Sequence, residues 1–173
     1  SIITALSSTL YNVYLPELNI ATLYKNKYRI KTIITFSALV NWVMFISGSV
    51  FLILFGEFLL NIIQSSVKIV PLSLLIFMAV YLFLENNHSM FSAFITSENR
   101  VPFVNAAVIS GITIFLLSLI LVNYTHLGLF GLLFSQAIVQ LAYNNWKWPL
   151  EVIKKHNFKI GELSDYVFNQ RSN

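Results

Sequence analysis

The sequence predicts an all-α membrane protein, a polytopic bundle of about five transmembrane helices. The first observation is composition, because 57% of the residues are hydrophobic and 10% are charged, against about 25% charged in an ordinary soluble domain. The second is a mean hydropathy of +0.72. The third is the placement of the 11 basic residues, since all except Lys68 fall in alternate intervals between apolar stretches.

Five apolar stretches have the length that a bilayer requires, about 20 residues each. We predict spans near residues 2–23, 33–55, 69–95, 103–122 and 127–148, within a transmembrane region of residues 1–150. Residues 151–173 are a polar tail with spaced apolar side chains. This tail is compatible with an amphipathic helix on the membrane surface or with disorder at its last residues.

Proline and aromatic residues support these boundaries. Pro71 and Pro102 fall in predicted first turns, and Pro149 marks the end of the last span. Pro16 lies inside the first apolar stretch, where we expect it to kink the helix or end it early. The residues predicted to form an aromatic belt at one membrane interface are Tyr24, Tyr28, Tyr143, Trp146 and Trp148.

The positive-inside rule orients the chain. Basic residues lie in the first predicted loop, in the third predicted loop and after the last span, which predicts that these regions are cytoplasmic. The N-terminus is then outside and the C-terminus inside. Because the first span does not read as a signal peptide, this topology predicts that N-terminal helices of the same protein precede this sequence.

Sequence motifs give no indication of an enzyme. The chain has no cysteine, which excludes thiol nucleophiles and thiolate metal sites. It also contains no glycine-rich phosphate loop, helical His pair or serine-nucleophile motif. We therefore predict no enzymatic activity, no cofactor and no metal. Nucleic acid is not predicted as a partner either, because the basic residues adjoin apolar segments.

The third predicted span contains a polar run inside an apolar stretch. Helical spacing places Glu85, His88 and Ser92 near one face, with Ser89 beside them, and these residues form a polar stripe. A carboxylate in hydrocarbon costs about 2.5–3.5 kcal/mol, which predicts that this face meets protein or water. Three roles stay open for Glu85: coupling to a proton or sodium ion with His88 as a relay, lining a cavity, or pairing between helices. The pathway candidates are Glu85, Asn86, His88 and Ser92, with Asn41, Asn105, Gln136 and Gln140 as weaker candidates.

Three short segments resemble one family of transporters. The first span closes with Leu15, Pro16, Glu17 and Leu18 ahead of a basic loop. Residues 98–102 lead back into the membrane, and a short break with Leu127, Gly128 and Gly131 precedes a last span with Gln136. Through these segments the chain resembles the polysaccharide and O-antigen flippases of the multidrug, oligosaccharidyl-lipid and polysaccharide exporter superfamily. The resemblance covers nearly the whole chain.

The resemblance implies the C-terminal lobe of a larger, two-lobed transporter in a bacterial inner membrane. Such transporters move a lipid-linked oligosaccharide, an O-antigen or capsular repeat unit on undecaprenyl pyrophosphate, to the outer leaflet by alternating access. The bilayer and the missing N-terminal helices are the other implied partners. The basic residues expected to meet the anionic headgroup at the cytoplasmic mouth are Lys25, Lys27, Arg29, Lys31 and Arg100.

Three alternatives remain at the level of sequence. A multidrug exporter or small-molecule/cation antiporter of the same superfamily would use Glu85 for coupling and aromatic residues such as Phe91 for its substrate. A membrane-embedded transferase would use Glu85 or His88 as a general base, but it would need larger polar loops than this chain has. A structural subunit would use the polar stripe only to join helices.

Overall fold

The computed structural model describes residues 2–158 apart from the side chain of Leu10, and this part of the chain is helical without strands. The helices are α1 (Ile2–Leu23), α2 (Lys27–Ile62), α3 (Leu72–Thr96), α4 (Val104–Tyr124), α5 (Leu129–Ala142) and α6 (Asn144–Lys155). The prediction of an all-α bundle is confirmed. The part of the predicted tail from residue 159 onward lies outside the described residues.

Three of the described helices, α2, α3 and α4, are long and apolar enough to cross a membrane. Helix α2 has 36 residues, about 54 Å at 1.5 Å per residue, so it extends beyond the predicted span at both ends and exceeds a hydrocarbon core of about 30 Å. Helix α4 is apolar around most of its circumference, and Ser110 is its buried residue. Such a helix fits a lipid-facing position.

The last predicted span is wrong as a single helix, because the chain breaks at Tyr143. The backbone angles there are φ −145° and ψ −59°, and they separate α5 from α6. Helix α5 has 14 residues, about 21 Å, which is shorter than the hydrocarbon core. Pro149 does not mark a helix end either, since it lies inside α6, which continues past residue 150 to Lys155.

Of the two alternatives for Pro16, a kink or an early helix end, the early end is wrong, since α1 continues through Pro16 to Leu23. A proline removes one helical hydrogen bond, but buried residues on both sides of it hold the two halves of α1. Tyr11 precedes Pro16, Leu18 and Ala21 follow it, and all belong to the central apolar cluster. Tertiary packing therefore overrides the local signal.

The core of the described chain lies at one end of the bundle. Its buried apolar side chains come from α1 from Tyr11 onward, the first half of α2, the second half of α3, and α6. The α1–α2 turn, the α3–α4 loop and α6 meet at this end, which carries most of the basic residues and is called the basic end below. The fully buried side chains there include Leu18, Met90 and Ile95.

Candidate functional site

A polar layer joins α2 to α3 inside the bundle. Asn86 Nδ2 donates to Asn41 Oδ1 at 2.9 Å, and both residues are buried. One residue further along each helix, Trp42 Nε1 donates to Asn87 Oδ1 at 2.8 Å. Consecutive side chains of a helix project about 100° apart, so Asn86 and Asn87 reach α2 from different sides of α3. The two bonds, Asn86 to Asn41 and Trp42 to Asn87, hold α2 against α3.

A second set of polar contacts converges on Asn144, at the start of α6. His88 Nδ1 lies 3.2 Å from the Asn144 backbone carbonyl, an acceptor. The Asn144 side-chain amide donates to Ser110 Oγ at 2.9 Å and to Gln140 Oε1 at 2.7 Å. Trp148 Nε1 donates to Asn144 Oδ1 at 3.1 Å. One asparagine thus connects α3, α4, α5 and α6.

Asn144 is the residue that sequence reasoning missed. It stands next to Asn145 and before three aromatic or charged positions, which makes the segment look like a membrane interface. Trp148 was predicted in the aromatic belt there, yet it is 3% exposed and belongs to the core. Trp146 and Tyr143 are exposed, as a belt requires. An adjacent pair of asparagines beside a predicted helix end is the signal that could have indicated a break.

Several buried polar atoms have no hydrogen-bond partner among the described residues. They include Glu85 Oε2, Ser92 Oγ, Asn41 Nδ2 and both side-chain polar atoms of Asn145. Buried polar groups almost always have partners, and an unpaired carboxylate oxygen is the costliest kind. Glu85 and Ser92 are therefore the members of the polar stripe that hydrogen bonds between the described helices do not explain, and Glu85 is the ionisable one.

The remaining pathway candidates lie apart from this layer. Gln136 and Asn105 are exposed on α5 and α4, and neither side chain makes a hydrogen bond to another described residue. Ser89, expected beside the stripe, is also exposed, whereas Ser92 is buried one turn beyond His88. Gln140, a weaker candidate, belongs to the second set of contacts, since its Oε1 accepts from the Asn144 side-chain amide.

The basic end is held together by ion pairs that the sequence alone did not assign. Arg100 Nη2 donates to Glu151 Oε1 at 2.7 Å, which ties the α3–α4 loop to α6. Lys155 and Arg100 both pair with Glu98, whose side chain is 11% exposed. The hydrogen bond with Glu151 is the main reason that the pKa of the Arg100 guanidinium is raised.

The basic residues predicted at the cytoplasmic mouth therefore fall into two groups. Arg29 Nε donates to Glu17 Oε1 at 2.6 Å, and Lys31 Nζ donates to the Asn157 carbonyl at 3.0 Å. Together with Arg100, these basic residues have internal partners. Lys25 and Lys27 are exposed in the α1–α2 turn and at the start of α2.

His156 gives the basic end an expected pH dependence. Its Nε2 lies 3.1 Å from Glu98 Oε1, but burial dominates and lowers the pKa of the imidazole below its ordinary 6.5, with Glu98 acting in the opposite direction. The unfolded chain then binds this proton more readily than the folded protein. We expect the free energy of unfolding to fall as the pH drops through about 6.5, and to level off below the folded-state pKa.

The measurement is the unfolding temperature in detergent across this pH range for the wild type and for His156→Gln. The variant should lose part of the acid-dependent decrease. An identical pH profile for the two proteins would contradict the assignment to His156.

Comparison with known proteins gives no match, either to a family model, to a curated protein or to a solved structure.

Proposed function

We propose that this chain is part of a membrane transporter that moves lipid-linked oligosaccharide across a bacterial inner membrane by alternating access. The substrate class comes from the resemblance of the three short segments to polysaccharide and O-antigen flippases. The coupling residue is Glu85. The observation that carries the proposal is that Glu85 has a buried carboxylate oxygen without a hydrogen-bond partner among residues 2–158, inside a helix apolar enough to cross a membrane.

The neighbours of Glu85 narrow the roles that were open for the polar stripe. Pairing between helices accounts for Asn86 and Asn87, which bond to α2. It also accounts for His88, which reaches the start of α6. Glu85 has no such contact through Oε2. Coupling or cavity lining therefore suits Glu85, whereas Asn41 and Asn86 suit a structural role.

Protonation of Glu85 offers a simple way to bias two conformations. A neutral carboxyl group tolerates an apolar, closed surrounding, whereas the ionised group requires water, a cation or a hydrogen-bond donor. A conformation that buries Glu85 is then favoured by the proton, and one that opens it to water is favoured by ionisation. The two conformations therefore differ in their affinity for the proton, and a proton gradient would shift the populations between them.

The second candidate is a multidrug exporter or cation antiporter, which Glu85 would suit equally well. Its proposed aromatic contact is less suitable, because Phe91 is 4% exposed and packs against Phe94 with ring centroids 5.7 Å apart. A drug-binding role would need other aromatic residues. We therefore keep the flippase as the main proposal.

The test is flipping of a lipid-linked oligosaccharide in vesicles that contain the complete protein, with and without a proton or sodium gradient. Glu85→Gln keeps the shape of the side chain and removes its charge, so we expect flipping to lose its response to the gradient. Glu57→Gln is the matched control, since Glu57 is an exposed carboxylate on α2. Its gradient response should stay at the wild-type level.

Two results would redirect the proposal. Gradient-dependent flipping that survives Glu85→Gln would return Glu85 to a packing role. A complete absence of flipping by the wild type, together with gradient-driven export of a lipophilic cation, would favour the antiporter.

A further inference from the structure

The basic end contains a pocket of about 660 Å³ between the α1–α2 turn, the α3–α4 loop and the end of α6. It is lined by Thr22, Lys25, Lys27, Tyr28, Ile30, Lys31, Glu98, Lys155, His156 and Asn157. Four of these are lysines and one is a carboxylate, so with a neutral histidine the lining carries a net charge of +3. Such a lining attracts a compact, multiply charged anion.

The lysines of the pocket differ in how they are engaged. Lys155 pairs with Glu98, and Lys31 donates to the Asn157 carbonyl. Lys25 and Lys27 are exposed, and the described residues give neither an ion pair. Both stand at the N-terminal end of α2, where the helix dipole is positive and also favours an anion.

The turn that carries Lys25 has a defined shape. Lys25 follows the end of α1 with φ +55°, and the next residue, Asn26, donates its backbone N–H to the Ala21 carbonyl at 3.0 Å. This left-handed helix end favours glycine or asparagine over lysine. A replacement of Lys25 by asparagine therefore removes the charge without straining the turn.

A second depression adjoins the pocket and shares Thr22 and Glu98 with it. It has a volume of about 790 Å³ and runs between α1 and α3, where Leu15, Leu23 and Ala93 contribute apolar surface. A cationic pocket next to a partly apolar groove suits a ligand that has an anionic head and a hydrocarbon chain. A free phosphate would use the pocket alone.

We propose that the basic end binds a phosphate-bearing anionic lipid, with the headgroup in the lysine pocket and the first part of the chain in the α1–α3 groove. The net charge of the lining favours a headgroup with two negative charges, such as a phosphomonoester or a pyrophosphate, over a zwitterionic one. This inference does not depend on transport, since a tightly bound membrane lipid would use the same site.

The test is native mass spectrometry of the complete protein in detergent, titrated separately with three probes. These are dioctanoyl phosphatidic acid, dioctanoyl phosphatidylcholine and inorganic pyrophosphate. We expect the phosphatidic acid to bind at least about tenfold more tightly than either of the others, because it alone combines the charge and the chain. Equal binding of the two lipids would overturn the proposal, and pyrophosphate binding as tight as that of phosphatidic acid would assign the pocket to free phosphate.

Variants locate the binding to this surface. The double substitution Lys25→Asn with Lys27→Gln should weaken phosphatidic acid binding by about tenfold. The double control, Lys68→Gln with Lys154→Gln, removes the same charge from exposed positions outside the pocket and should change binding less than twofold. Equal losses in the two double variants would mean that net charge alone attracts the lipid, and would overturn the site.

A last variant tests the groove. Asn19 is exposed and lines the α1–α3 depression, so Asn19→Trp should obstruct the chain and leave the lysine pocket intact. We expect weaker binding of phosphatidic acid with unchanged binding of pyrophosphate. Undiminished phosphatidic acid binding would show that the chain does not occupy the groove and would overturn that part of the proposal.

Discussion

Replacing Trp148 by alanine is expected to destabilise the protein by about 3 kcal/mol, because a large aromatic side chain would leave a cavity in the core. Trp148 is 3% exposed. Its ring meets Phe103 edge-on with centroids 5.8 Å apart and Tyr143 with centroids 5.9 Å apart. It therefore fastens α6 to the start of α4 and to the α5–α6 break. For a chain of this size, the loss corresponds to a decrease in unfolding temperature of about 6–12 °C.

The matched control is Trp146→Ala, two residues earlier in the same helix. Trp146 is 47% exposed, and its Nε1 donates to the Ala142 carbonyl at 3.2 Å, so its removal should cost less than about 1 kcal/mol. The unfolding temperatures of both variants are measured by detergent-solubilised thermal denaturation. Equal decreases for Trp146→Ala and Trp148→Ala would contradict the docking of α6 against the core.

The helical class could be predicted from sequence because hydrophobic runs of membrane length are a property of composition along the chain. The predicted third span, residues 69–95, lies close to the observed α3, Leu72–Thr96. The fifth predicted span, residues 127–148, is not a single helix, and hydropathy could not reveal the break. A hydropathy pattern counts Tyr143, Trp146 and Trp148 as suitable for an interface, and it does not show that Asn144 has partners on three helices.

The polar stripe was predictable in part. Glu85 and His88 stand out because ionisable residues are rare inside apolar helices. The bond between Asn41 and the neighbouring Asn86 was not predictable, since the two residues are separated by 45 positions and pair only when α2 lies beside α3 in one register. The ion pairs of the basic end were unpredictable for the same reason, because they join residues far apart in the sequence. Glu98 meets Lys155 across a separation of 57 positions.

Asn144 is expected to be the most important polar residue for stability. In Asn144→Leu, the side-chain bonds to Ser110, Gln140 and Trp148 are lost together. Hydrogen bonds between membrane helices contribute about 0.6 kcal/mol each on average, and more when the remaining partner is left buried and unpaired. We therefore expect a loss of about 2–3 kcal/mol, measured as a lower unfolding temperature in detergent.

The neighbouring residue, Asn145, gives a control for which no loss of stability is expected. Asn145 is buried, and neither of its side-chain polar atoms has a partner among residues 2–158. An apolar side chain of similar size removes the cost of burying that amide, so Asn145→Leu should leave the stability unchanged or raise it by about 1 kcal/mol. A larger loss for Asn145→Leu than for Asn144→Leu would contradict the connecting role of Asn144.

A double-mutant cycle separates the bond to Trp148 from the rest of this effect. Trp148→Phe removes the indole donor and keeps most of the aromatic packing, so its cost should be smaller in the Asn144→Leu background than in the wild type. The expected coupling is about 0.5–1.5 kcal/mol, as for one buried hydrogen bond. Additive losses would show that Asn144 and Trp148 stabilise α6 independently, and that the hydrogen bond between them contributes little.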